Sequence, residues 1–217
     1  MQTFFDFLMG DFGAIAALLA AGLLFIVFSG RLFKRANFSS RALAYTGLTL
    51  ALAFILSYLR IFPMPQGGSV TLLSMFFVAL IGIWFGPGIG LVSAISYGFL
   101  QLVQGAYIIH PIQFLLDYPV AFGMLGLSGF FYRAKGGLYI GFVVACLGRY
   151  VAHTLSGWVY FGHFAPEGTH PLIYSIIYNL YVPAEMAITL LVIALPPVRH
   201  GLAQVRKTIM KDAQPAI

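Results

Sequence analysis

The stretch that decides the fold is YIIHPIQFLLDYPVAFGMLGLSG, residues 107–129. Its apolar run meets the roughly 20 residues that a membrane-crossing helix needs. Asp117 stands well inside that run. A carboxylate near the centre of a bilayer costs roughly 3 kcal/mol or more, so intramembrane acids mark sites by default. Pro119 follows two residues later and has no N–H to donate, which opens the helix beside the acid. Gly123, Gly126 and Gly129 then allow a neighbouring helix to approach closely. The plain alternative is an ion pair between Asp117 and Arg149 that binds nothing.

The rest of the chain agrees with a membrane setting. It has 217 residues, of which 60% are hydrophobic and 8% charged, with mean hydropathy +0.93. Soluble domains carry about 25% charge. The basic balance, pI near 9.6, is no nucleic-acid signal, because the cations sit in loops beside apolar runs. The lone Cys146 lies in an apolar run and reads as a packing residue. Asp6 and Asp11 precede the first apolar run without a basic n-region, which argues against a cleaved signal peptide.

Seven apolar runs alternate with loops, at about 12–30, 42–62, 70–86, 87–104, 111–132, 137–162 and 171–196. The expected fold is therefore an all-α polytopic membrane protein of seven spans. All but Arg60 and Arg149 of the 12 Lys and Arg residues fall after the first span, after the fifth, or in the C-terminal tail. Those regions share one side, which the positive-inside rule makes cytoplasmic, with the N-terminus outside. The expected organisation is an extra N-terminal helix (1–35), a membrane core (36–200) and a basic cytoplasmic tail (201–217).

Helix rise then sets depths. Asp117 lies ~9 Å, His153 ~13 Å and Asn179 ~12 Å below the outer ends of three different spans. Three polar groups at one level suggest a pocket open to the outside. Gln113 is one turn before Asp117, and Arg149, His153, Ser156, Gly157 and Tyr160 share a helix face. Tyr97, Gln101 and Gln104 form another polar stripe, and Tyr174, Tyr178, Tyr181 and Glu185 a third. Asn179 is about 100° off that last stripe, so Tyr174 and Asn179 meet one ligand only if the helix begins irregularly. Tyr107, Tyr118, Trp158, Tyr160, Phe161, Phe164 and Tyr174 crowd the outer ends. Most of them fit an interfacial aromatic belt, and His153 fits equally well as a helix-packing histidine. An acid beside aromatic faces suits a flat cationic ligand, whose donor and acceptor edge Asn and Gln amides can read. Gly47 and Ala51, like Thr49 and Ala53, form small-residue faces suited either to tight packing or to docking a partner helix.

Taken together, YIIHPIQFLLDYPVAFG and HTLSGWVYFGHFAPEGTHPLIYSIIYN resemble the thiamine transporter family, the substrate-binding S components of energy-coupling factor (ECF) transporters. The resemblance runs from about residue 42 onward. It implies a six-helix core behind the extra first span, and a high-affinity thiamine pocket near the outer surface of a bacterial plasma membrane. Asp117 and Asn179 would bond the ligand's polar edge. His153 would stack on its rings with Tyr107, Tyr118, Tyr174 and Phe161, and Gly157 would lie beside them. Gly47 and Ala51 would approximate the motif that docks the membrane coupling subunit, and two ATPases would complete the transporter. Phe161 stands where the family is expected to carry a stacking tryptophan, the 63–68 loop lacks another, and Asp replaces Glu at 117.

No metal, cofactor or nucleic-acid partner is implied. An intramembrane enzyme using Asp117, His153 and Glu185 lacks H-E-x-x-H, G-x-S-x-G or a Cys/His cluster. A self-sufficient proton-coupled carrier would use Asp117 and Glu185 as relay groups, though no inverted repeat is evident.

Overall fold

The computed structural model describes residues 27, 30–32, 36 and 38–213. The expected first span, about 12–30, lies almost wholly outside the described residues, as does most of the 1–35 segment.

Helix α1 (Ser40–Ser57) begins where Ser39 Oγ accepts from Ala42 N–H at 3.2 Å. It leads into an antiparallel hairpin, β1 (Arg60–Pro63) and β2 (Ser69–Thr71). Then come α2 (Ser74–Phe85), α3 (Pro87–Leu100), α4 (Pro111–Phe131) and α5 (Gly137–Tyr160). Helices α6 (Pro171–Tyr178) and α7 (Tyr181–Ala194) form one broken rod, and α8 (Pro196–Ala213) closes the described chain. Residues 201–213 thus continue a helix whose Val198 and Leu202 pack on the core.

Four segments are long and apolar enough to cross a membrane: Ser40–Ser57, Pro111–Phe131, Gly137–Tyr160 and Pro171–Ala194. The runs expected at 70–86 and 87–104 are shorter as helices, because 69–71 is strand and Gln101–Gln104 tightens into a 3₁₀ turn. The run expected to 62 stops at Ser57, where the chain enters the hairpin.

Helix α2 is apolar nearly all round, so it can satisfy its surface only at the centre of the bundle. Met75, Phe76, Val78, Ala79 and Leu80 there meet Tyr97, Leu125, Phe142, Ala145 and Val182 from four other helices. Phe76 and Phe142 meet edge to face at 5.5 Å, and Ser128 Oγ donates to Ala79 O at 2.6 Å. Around this core the bundle presents Leu48, Ile55, Leu147, Val151, Ile177 and Leu191 outward. A belt of that kind is costly in water and neutral in lipid.

The polar stripe of α3 is spent on α1. Tyr97 OH donates to Ala53 O at 3.0 Å, and the amides of Gln101 and Gln104 both reach Ser57 Oγ. The two small-residue faces of α1 also part company. Thr49 and Ala53 are buried against the bundle, whereas Gly47 and Ala51 are exposed.

Candidate functional site

Two helices that line the site begin in the same way. His110 Nδ1 accepts from Ile112 N–H and His170 Nδ1 from Leu172 N–H, each with a proline as first helical residue. A capping acceptor plus a preset φ fixes where a helix starts, so the offsets to Asp117 and Asn179 are fixed as well.

Asp117 lies in a single π turn, Leu116–Val120. Pro119 supplies no N–H, and Ala121 N–H reaches back five residues to Leu116 O. Such π bulges recur at functional sites because they re-aim a side chain without ending the helix. Here the turn aims Asp117 at α5, where His153 Nδ1 stands 3.1 Å from Asp117 Oδ1. Gln113 Nε2 donates to Asp117 Oδ2 at 2.6 Å, while its Oε1 accepts from Ile109 N–H at 3.1 Å.

Arg149 does not pair with Asp117. Its Nε donates to His153 Nε2 at 3.2 Å, and its guanidinium carbon sits 4.0 Å from the Phe122 ring centre. Arginine has only protons to offer. His153 Nε2 must therefore be the accepting nitrogen, so the ring proton sits on Nδ1 and points at Asp117. The chain Arg149–His153–Asp117–Gln113 holds the carboxylate in place without an ion pair to Arg149.

Asn179 is where the α6–α7 rod breaks. Tyr174 and Asn179 line one cavity although the helix is regular from Pro171 to Tyr178 and breaks only after it, so no irregular helix start is needed. Asn179 Nδ2 donates to Ser175 O at 2.9 Å and to His153 O at 3.3 Å. Those two carbonyls fix the amide's orientation and leave Oδ1 as its remaining acceptor. Gly157 makes this approach possible, since a Cβ there would clash with Ser175 Oγ.

Asp117, Tyr118, His153, Tyr174, Asn179, Tyr107, Phe161 and Gly157 all line one cavity of about 180 Å³. Tyr118 OH accepts from Tyr107 N–H at 3.0 Å, and the Tyr107 and Phe161 rings lie 5.9 Å apart. Gly47 and Ala51 are elsewhere, on the exposed face of α1. The structure adds Gln113, Arg149, Tyr178, Tyr181 and Glu185 to the lining, together with Gln66, Gly67 and Gly68 of the hairpin. The helix residues are visible in the sequence as stripes: Gln113 and Arg149 one turn before the acid and the histidine, and Tyr178, Tyr181 and Glu185 at i+4, i+7 and i+11 from Tyr174. The hairpin carried no such signal, because its contact with the cavity is made across more than 100 residues of chain.

Glu185 is no free relay group. Its carboxylate accepts from Thr71 N–H at 2.8 Å, Thr71 Oγ1 at 2.8 Å and Met75 N–H at 3.2 Å. It ties α7 to the foot of the hairpin and the start of α2. Glu185→Ala is expected to lower stability by about 3 kcal/mol, since it strands buried backbone donors. Thermal unfolding in detergent measures this, and an unchanged midpoint would contradict the structural role.

Comparison with known proteins agrees with this architecture. Over 130 residues the chain is 42% identical to the thiamine transporter ThiT of Bacillus subtilis strain 168, spanning 54% of this chain and 67% of that protein. Over 111 residues it is 31% identical to the thiamine transporter ThiT of Lacticaseibacillus paracasei, spanning 42% of this chain and 55% of that one. A solved structure of ThiT from Listeria monocytogenes shares the fold, with TM-score 0.61 and 22% identity over 72% of this chain and 94% of that one. The family so matched is one of transporters, which sets aside the intramembrane enzyme. Residues 43–204 match the family model described as thiamine transporter protein, and the chain belongs to that family.

Proposed function

We propose that this membrane protein captures thiamine from outside the cell in the cavity between α4, α5, the α6–α7 rod and the hairpin. The observation that carries the reading is the Asp117 carboxylate, held by His153 and Gln113 with its charge uncancelled by Arg149. A thiazolium cation supplies the missing charge, and the surrounding rings offer cation–π contacts worth up to about 2 kcal/mol when desolvated. The Asn179 Oδ1 acceptor suits an amino group on a heterocycle, such as that of the pyrimidine.

The reading extends to seven crossings with the N-terminus outside, in a bacterial plasma membrane. Supporting it, the cavity lies where α4 and α6 begin and α5 ends. Arg133, Lys135, Arg199, Arg206 and Lys207 are exposed near the opposite helix ends, as the positive-inside rule asks of a cytoplasmic face. The same reading assigns the chain an ECF coupling subunit, docked on the Gly47 and Ala51 face of α1, and two ATPase subunits. An addition of Ala-sized bulk at Gly47 meets nothing within 4 Å among the described residues. The proton-coupled carrier loses one of its two relay groups to the bonds at Glu185.

Calorimetric titration of the detergent-solubilised chain tests the assignment. Thiamine is expected to bind tightly without ATP and its pyrimidine precursor much more weakly, because the precursor lacks the cation that Asp117 compensates. Equal affinity for the two would remove the carboxylate from the recognition scheme.

A further inference from the structure

The hairpin lies over the cavity, with Pro63, Met64, Gln66, Gly67 and Gly68 in its lining. Anything entering or leaving between α4 and α6 must pass its tip. What holds the hairpin down is therefore part of how the protein retains a ligand. Both attachments come from the α6–α7 rod, and they differ in kind.

The foot is held by several buried bonds to one carboxyl group. Glu185 is 3% exposed, and its carboxylate gathers Thr71 and Met75 N–H and the Thr71 hydroxyl. The tip is held by one neutral hydroxyl. Tyr178 OH accepts from Gln66 N–H at 2.8 Å and donates to Gly67 O at 2.8 Å. One hydroxyl proton and two lone pairs allow both bonds at once. Tyr174 OH adds a long 3.4 Å contact to Gln66 Oε1. The ring of Tyr181 lies under Gly68, where a Cβ would come within 2.7 Å. Gly67 and Gly68 are exposed, with φ of +90° and +78°. Local opening begins where bonds are few, neutral and exposed, so the tip yields while the foot stays.

We propose that Tyr178 is a latch: its hydroxyl pins residues 66–67 over the cavity, and breaking its two bonds lets the tip lift about the Glu185-held foot to release the ligand. The proposal rests on the cavity being the thiamine site. Tyr178 also lines the cavity, but the role assigned to its hydroxyl runs through the hairpin backbone at Gln66 and Gly67, which makes that role a positioning one.

The test is Tyr178→Phe, which keeps the ring and its 5.8 Å contact with Tyr174. Release of radiolabelled thiamine, chased with excess unlabelled vitamin, is expected to quicken by about tenfold, as befits two net hydrogen bonds. In the same ligand-free variant, amide exchange is expected to rise across 64–68 and to stay low at Thr71 and Met75. A general loss of structure would raise exchange at the foot as well. Release at the wild-type rate, or exchange that rises equally at tip and foot, overturns the latch. Asp117→Asn, run alongside, separates the two readings. If it binds thiamine as the wild type does, the cavity assignment fails, and exchange at the tip alone then judges the latch. If it loses binding while Tyr178→Phe releases at the wild-type rate, the cavity stands and the latch falls.

Discussion

Asp117→Asn is expected to lower thiamine affinity at least ~100-fold, about 3 kcal/mol, while the protein stays folded. The substitution keeps the side chain's size and removes its charge. It also puts an amide N–H₂ where two donors converge. His153 cannot turn its accepting nitrogen to face the new donor, because Arg149 Nε already donates to Nε2. Gln113 cannot flip freely, because its Oε1 accepts from Ile109 N–H and its Nε2 also donates to Tyr107 O at 3.1 Å. One amide proton pair is left without an acceptor, and an unmet buried donor costs about 1–3 kcal/mol. The lost attraction for a cationic ring adds to that. Calorimetric titration reads the affinity and thermal unfolding reads the fold. Native affinity in a folded variant would show that the carboxylate does not meet the ligand.

Gly126→Val is expected to abolish accumulation of folded protein. Helices α2, α3 and the distal half of α4 meet backbone to backbone. A Cβ at Gly126 would lie 2.5 Å from Leu91 Cα and 2.6 Å from Leu91 N, and one at Gly90 would lie 2.6 Å from Gly82 Cα. Overpacking against yielding side chains costs about 1–3 kcal/mol, and backbone cannot yield as a rotamer can, so a larger loss is expected. Detergent extraction followed by size-exclusion chromatography measures the folded fraction. Gly47→Ala is the matched control, because its added methyl meets nothing within 4 Å among the described residues. A well-folded Gly126→Val protein would mean that the three helices do not pack as described.

Which parts were legible from the chain follows from the range of the physics involved. Hydrophobic run length and helix rise are local quantities. They placed Asp117, His153 and Asn179 at one level, and they placed the spans of α4 and α5 within two residues of where these helices stop. Azimuth and pairing are set by contacts between distant segments. The Tyr97–Gln101–Gln104 stripe read as a polar surface, and the bundle divides it: Tyr97 and Gln104 bond α1, while Gln101 and Gln104 also line the cavity. Glu185 read as a possible relay, yet it anchors a strand more than 100 residues away. The sequence admitted Arg149 as a partner for Asp117, and the bundle gave it to His153 and Phe122 instead.

By itself the amino-acid sequence determined the membrane class and the family, and it singled out an acid, a histidine and an amide on three different helices. Composition, periodicity and motif spacing all act over one helix or less. Only the tertiary structure decided that the π turn at Pro119 aims Asp117 at α5, that the rod breaks at Asn179, and that a short hairpin covers the cavity under Tyr178. Those outcomes rest on bonds between residues of separate helices and the hairpin, which no local stretch of sequence fixes.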